Sequence, residues 1–162
     1  MNLTFREYKD KDRALLLNLT NKLEEFSKSL DPIHRVQNLP GFTEISLKET
    51  LGNVEKYQGK IWIAEDEGKV IGYVIGVIWK QSEKNKLEIG PHKLGEVLKI
   101  YLDEEYRRKG IGKTMLQMME KYFKEKGCNS MWISVFAPNE NAHNMYKKFG
   151  FVDREIGMLK QI

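Results

Sequence analysis

One stretch constrains this chain more than any other. Glu96 to Leu102, EVLKIYL, reads as a strand, and it runs through Arg107 to Thr114, RRKGIGKT, straight into a helical pattern. From Ile111 to Lys126, apolar residues fall at Ile111, Met115, Met118, Met119, Tyr122 and Phe123. That spacing draws one stripe along a helix, which Gly127 ends. Strand, basic glycine turn and amphipathic helix together fit an anion cradle, against an ordinary turn with a solvated basic run. The first amides of a helix have no internal partner and carry partial positive charge. Glycines there let a phosphate approach the backbone closely.

Which phosphate design is this? The nucleotide P-loop, GxxxxGK[ST], needs glycine at 107, where the chain has Arg107. The dinucleotide design, GxGxxG, needs glycine at 115, where the chain has Met115. The pattern Arg/Gln-x-x-Gly-x-Gly/Ala is matched at every position by Arg107-Arg108-Lys109-Gly110-Ile111-Gly112. Arg107, Arg108, Lys109 and Lys113 add charge around the turn.

The rest of the chain reads as alternating strands and helices. Leu3 to Tyr8 is a strand, and Asp12 to Phe26 is a helix with Leu15, Leu16, Leu19, Leu23 and Phe26 on one face. Ser29 to Gly41 reads as a loop. Ser46-Leu47-Lys48-Glu49 has the form of a capping box, which predicts a second helix from there to about Tyr57. Lys60 to Glu65 and Val70 to Trp79 form a hairpin around Glu65 to Gly68. Ser82 to Lys86 is polar and loop-like. Met131 to Phe136 is a strand, Asn139 to Phe149 a helix stopped by Gly150, and Phe151 onward one or two closing strands. The order predicts a single α+β domain over residues 1–162, with a mixed sheet.

Composition narrows the class. Of 162 residues, 41% are hydrophobic and 31% charged, as in a soluble globular chain. The longest apolar run, Val70 to Trp79, is far short of the ~20 residues of a membrane helix. The N-terminus lacks the apolar core of a signal peptide. A single cysteine, Cys128, allows no internal disulfide, so a cytoplasmic setting is expected. His34, His92 and His143 show no metal-ligand spacing, and no metal is expected. A net charge of +4 permits nucleic-acid binding, but the aromatics fall at core positions, which ranks that reading last.

Two motifs carry a resemblance. Glu96 to Gly112 resembles the acetyl-CoA-binding motif of the GNAT N-acetyltransferase superfamily. Asn139 to Phe151, NENAHNMYKKFGF, is similar to the family's N-x-x-A-x-x-L-Y-x-x-x-GF element, with Met145 in place of the usual Leu. The resemblance implies a mixed, splayed sheet with helices on both faces, and acetyl transfer from acetyl-CoA to an amine, with the acetyl donor as the only cofactor. A non-catalytic acyl-CoA sensor on the same fold is the alternative. The family also implies site residues. Arg107, Arg108, Lys109, Gly110, Ile111, Gly112 and Lys113 would form the pyrophosphate loop. The backbone of Ile100, Tyr101 and Leu102 would pair with the pantetheine arm, with the Ile100 amide on the thioester carbonyl. Asn139 would contact that arm, or cap its helix, or both. Tyr146 would be the general acid, against an ordinary buried aromatic. Glu96 would be the base, against an exposed strand-end glutamate with water doing the work. Period two puts Glu96 on the same strand face as Leu98, Ile100 and Leu102, where its pKa would be raised. The acceptor is expected to be a small-molecule or peptide amine, and a homodimer is possible.

Overall fold

A computed structural model describes residues 1–162. Ten elements follow one another: β1 (Leu3–Glu7), α1 (Arg13–Ser29), α2 (Phe42–Lys56), β2 (Lys60–Asp66), β3 (Lys69–Trp79), α3 (Glu83–Ile89), β4 (Leu94–Leu102), α4 (Ile111–Glu125), β5 (Ser130–Ile133) and α5 (Glu140–Phe149). One sheet runs β1-β2-β3-β4-β5. The first four strands are antiparallel neighbours, while β4 and β5 are parallel, so the sheet is mixed. No helix is long and apolar enough to cross a membrane.

Two apolar clusters flank the sheet. On one face Leu16, Leu19 and Leu47 of α1 and α2 pack on Ile61, Ile63, Tyr73, Ile75 and Tyr101. On the other, Ile111, Met115, Leu116, Met119 and Phe123 of α4, with Tyr146 of α5, pack on Ala64, Val74, Ile78 and Val97. The α4 stripe therefore buries as its spacing predicts. It also sits very close to the sheet. A Cβ at Gly95 would lie 2.4 Å from the Phe123 ring, and one at Gly76 would lie 2.5 Å from Met119 Sδ.

Four local expectations fail. The second helix starts at Phe42 behind Gly41, whose φ of 88° suits glycine, so Ser46 is interior and caps nothing. Its hydroxyl instead accepts from Lys99 Nζ. Residues 83–89 are helix, not loop. Ser82 caps them by accepting from Asn85 N at 3.2 Å. All seven lie outside the core, so no apolar period announced them. β5 ends at Ile133, because the chain turns at Phe136, whose carbonyl accepts from Asn139 N. Residues 151–162 form no strand. Asp153 binds His143 Nε2 (2.5 Å) and Lys147 Nζ (3.2 Å), which ties this segment back onto α5 instead of the β5 edge.

Candidate functional site

The site starts from an irregularity in β4. Ile75 pairs with Lys99, but Gly76 pairs with Val97, so Leu98 is an extra residue. Such a bulge puts two successive side chains on one face and reverses the alternation beyond it. Val97 faces α4, and so do Ile100 and Leu102. Leu98 and Tyr101 join the α1–α2 cluster. Glu96, two residues before Leu98, is therefore on the α1–α2 face and not beside Ile100 and Leu102. The period-two assignment of its face is corrected by the bulge. Glu96 Oε2 accepts a hydrogen bond from Trp79 Nε1. The Trp79 ring lies 4.5 Å, centre to centre, from Tyr57 at the end of α2.

The same strand has an open edge. β5 pairs only with Leu94 to Val97. From Leu98 to Leu102, β4 has β3 on one side and no strand on the other. Asp103 N donates to Ile71 O on the β3 side. By alternation Tyr101 also bonds to β3, while the peptide groups of Ile100 and Leu102 point into the opening. The Leu102 carbonyl is occupied by Arg107 Nε at 3.0 Å. Tyr101 is thus turned away from the opening. Its hydroxyl donates to Asp103 Oδ1, and burial pushes its pKa up to about 12.

The basic turn lies at the far end of that edge. Arg107 is not free to reach an anion, since its guanidinium stacks 4.8 Å from the Phe26 ring centre. Arg108 and Gly110 both have positive φ, 63° and 82°. The first backbone bond of α4 is Thr114 N to Gly110 O, which leaves the amides of Ile111, Gly112 and Lys113 without a helical partner. No side chain caps them, and no acid sits in the first turn. Arg108 and Lys113 are exposed and make no ion pair, and Lys109 Nζ lies 5.4 Å above Tyr106. A Cβ at Gly110 would meet nothing within 4 Å, and one at Gly112 would meet only the flexible end of Met145. A cradle of free amides with this glycine clearance suits a pyrophosphate.

α5 closes the other wall. Asn139 caps it, with Oδ1 accepting from Ala142 N at 3.3 Å. Met145 packs under Gly112, and its neighbour Tyr146 joins the cluster that includes Ile100 and Leu102. Tyr146 is only 6% exposed, and its hydroxyl has no protein partner yet is not sealed in. Desolvation pushes its pKa up to about 12, so the phenol holds its proton at neutral pH. The glycine turn, the open β4 edge and Tyr146 thus border one opening. Glu96 lies on the opposite side of the sheet, toward α1 and α2. The three histidines do not cluster: His92 Nε2 is 2.5 Å from Ser130 Oγ, and His143 binds Asp153.

Sequence reasoning missed two groups on the α1–α2 face. Trp79 and Tyr57 flank Glu96. Lys99 makes a buried ion pair with Glu24, Nζ to Oε1, at 3.0 Å. No local signal marked the pair, because Lys99 shares its face with Tyr101 by ordinary alternation and Glu24 lies 75 positions away.

Comparison with known proteins gives a consistent result. The model of the acetyltransferase (GNAT) family matches residues 23–151. An N-alpha-acetyltransferase of Sulfurisphaera tokodaii is 34% identical over 110 residues, which is 67% of this chain and 64% of that protein. A spermine/spermidine N(1)-acetyltransferase of Bacillus subtilis is 32% identical over 89 residues, 52% of this chain and 54% of that one. The fold matches a predicted acetyltransferase of Clostridium acetobutylicum solved with acetyl-CoA. Its TM-score is 0.69 at 19% identity, over 98% of this chain and 96% of that one.

Proposed function

This chain belongs to the acetyltransferase (GNAT) family, and on that premise we propose that it moves an acetyl group from acetyl-CoA to a primary amine. The amine attacks directly while both substrates are bound, and residues 1–162 act as one catalytic domain. The observation that carries the reading is the opening bordered by the free α4 amides, the unpaired β4 edge and Tyr146.

The amides of Ile111, Gly112 and Lys113 hold the pyrophosphate of acetyl-CoA, with Arg108, Lys109 and Lys113 supplying charge. Arg107 shapes the turn by holding the Leu102 carbonyl. The Ile100 carbonyl and the Leu102 amide bond the pantetheine arm, and the Ile100 amide stabilises charge growing on the thioester oxygen. The acceptor enters from the α1–α2 face. An alkyl amine has a pKa near ~10.4, so it must give up a proton before it attacks. Glu96, or a water that it orders, takes that proton. The nitrogen bonds to the acetyl carbon, the carbon–sulfur bond breaks, and Tyr146 protonates the departing thiolate. Asn139 acts first as a cap, and its place at the start of α5 fixes Tyr146.

The test is thiol release from acetyl-CoA with a panel of primary amines: a peptide with a free α-amino group, lysine and spermidine. At least one amine should raise release well above the rate with water. Acetyl-CoA binding with no amine-dependent release would leave a binding protein and end the catalytic reading.

A further inference from the structure

A buried charged junction on the α1–α2 face has no part in the chemistry described above. Lys99 Nζ donates to Glu24 Oε1 of α1 (3.0 Å) and to Ser46 Oγ of α2 (2.9 Å). Thr43 Oγ1, in the first turn of α2, donates to the other Glu24 oxygen at 2.6 Å. Thr43 also lies 3.2 Å from Asn21 Oδ1 on α1. The Lys99 and Glu24 side chains are only 16% and 10% exposed. Leu19, Leu23, Leu47 and Leu98 belong to the apolar cluster on the same face. Three elements therefore meet at one ion pair: the two helices that wall the acceptor side, and β4 immediately after its bulge.

Stability alone does not call for such a pair. Burying two charges costs most of what their attraction returns, and apolar side chains of the same volume often serve as well or better. An ion pair does have direction, which apolar packing lacks. A bulge also lacks one rung of the ladder and leaves its strand free to bend. Lys99 sits on that weak point, one residue before Ile100. Resting on the acetyltransferase reading, we propose that Glu24 and Lys99 are positioning residues. They pin the bulge to α1 and α2, so that the acceptor wall and the Ile100 amide keep one fixed relation. Neither residue exchanges a proton with a substrate. They act through the orientation of the Ile100 peptide group, and through the α2 turn that carries Thr43 and Ser46.

The test compares Lys99→Met, Lys99→Arg and the double variant Glu24→Gln/Lys99→Met with wild type. In 15N-labelled protein without substrates, hydrogen exchange is read at the Lys99 and Tyr101 amides, which bond to β3 on either side of Ile100. Kinetics then use acetyl-CoA with the best amine of the panel. Lys99→Met and the double variant should exchange at both amides at least about tenfold faster than wild type. The double variant, with no unpaired charge, should melt near wild type. It should still lose at least about tenfold in kcat, with the dissociation constant of acetyl-CoA within about twofold. Lys99→Arg should recover most of the rate, because it keeps the charge. Wild-type exchange in both Met variants would overturn the proposal. So would a double variant that is as stable and as fast as wild type. If wild type acetylates no amine, the functional reading has failed, and the exchange experiment still decides whether the pair pins the bulge.

Discussion

Replacing Tyr146 by Phe separates chemistry from packing more cleanly than any other change at this site. The ring sits in the α4 cluster, with Phe151 edge-on at 6.0 Å, and Phe keeps both contacts. The hydroxyl has no protein partner, so its removal breaks no hydrogen bond. Melting at neutral pH should therefore move by no more than about 2 °C. The rate should fall, because the proton for the thiolate is gone, and general acids contribute about 10² to 10⁴. Alkaline stability gives an independent check. An unfolded phenol loses its proton near pH ~10, while the folded one holds it to about 12. Between those values the unfolded state has released a proton that the folded state keeps, so stability falls as pH rises. Two pH units correspond to up to about 3 kcal/mol, a loss the Phe variant lacks. The assays are thiol release at neutral pH with saturating substrates, and urea unfolding between about pH 9 and 11, where up to about 1.4 kcal/mol of that loss should show. A kcat within about twofold of wild type would show that Tyr146 is core and not an acid.

Four further outcomes follow from the same geometry. Gly112→Leu should weaken acetyl-CoA binding at least about tenfold by calorimetry while leaving a folded protein, since only the flexible Met145 end is near; Gly110→Ala adds left-handed strain of about 1–2 kcal/mol and should lower the melting temperature as well. Gly95→Ala should destabilise by about 1–3 kcal/mol in denaturant titration, because its Cβ would lie inside the Phe123 ring contact at 2.4 Å. Glu96→Gln should slow the reaction most at neutral pH and recover partly toward pH ~10, where free amine becomes abundant; an equal loss at every pH would mean that Glu96 binds the acceptor instead.

How much of this was legible in the sequence depended on distance along the chain. The β4–turn–α4 unit was plain, because its glycines, its basic run and the Met115–Met119–Phe123 stripe are local and periodic. The N-x-x-A-x-x-M-Y run likewise marks the cap, the packing residues and the buried phenol of one helix. The bulge at Leu98 was hidden. Nothing in EVLKIYL announces a lost rung, yet it moves Glu96 to the opposite face from Ile100. α3 was hidden because a helix that buries nothing has no apolar period. Ser46 misled for a related reason. Its pattern matches a cap, but the hydroxyl is taken by Lys99, a residue 53 positions away. The segment after Phe151 has strand-like residues, and the contacts of Asp153 with His143 and Lys147 hold it on α5.

The central claim is that this opening takes acetyl-CoA, with its pyrophosphate on the α4 amides. A melting experiment with and without acetyl-CoA tests it most directly, with the Gly112→Leu variant alongside. At about a hundred times the dissociation constant, binding stabilises the folded state by ~2.7 kcal/mol. For a chain of this length that is a rise of roughly 5–11 °C in wild type. The Gly112→Leu protein should melt near wild type without acetyl-CoA and should lose most of the rise with it. An unchanged wild-type melting temperature at saturating acetyl-CoA, or an equal rise in both proteins, would contradict the account.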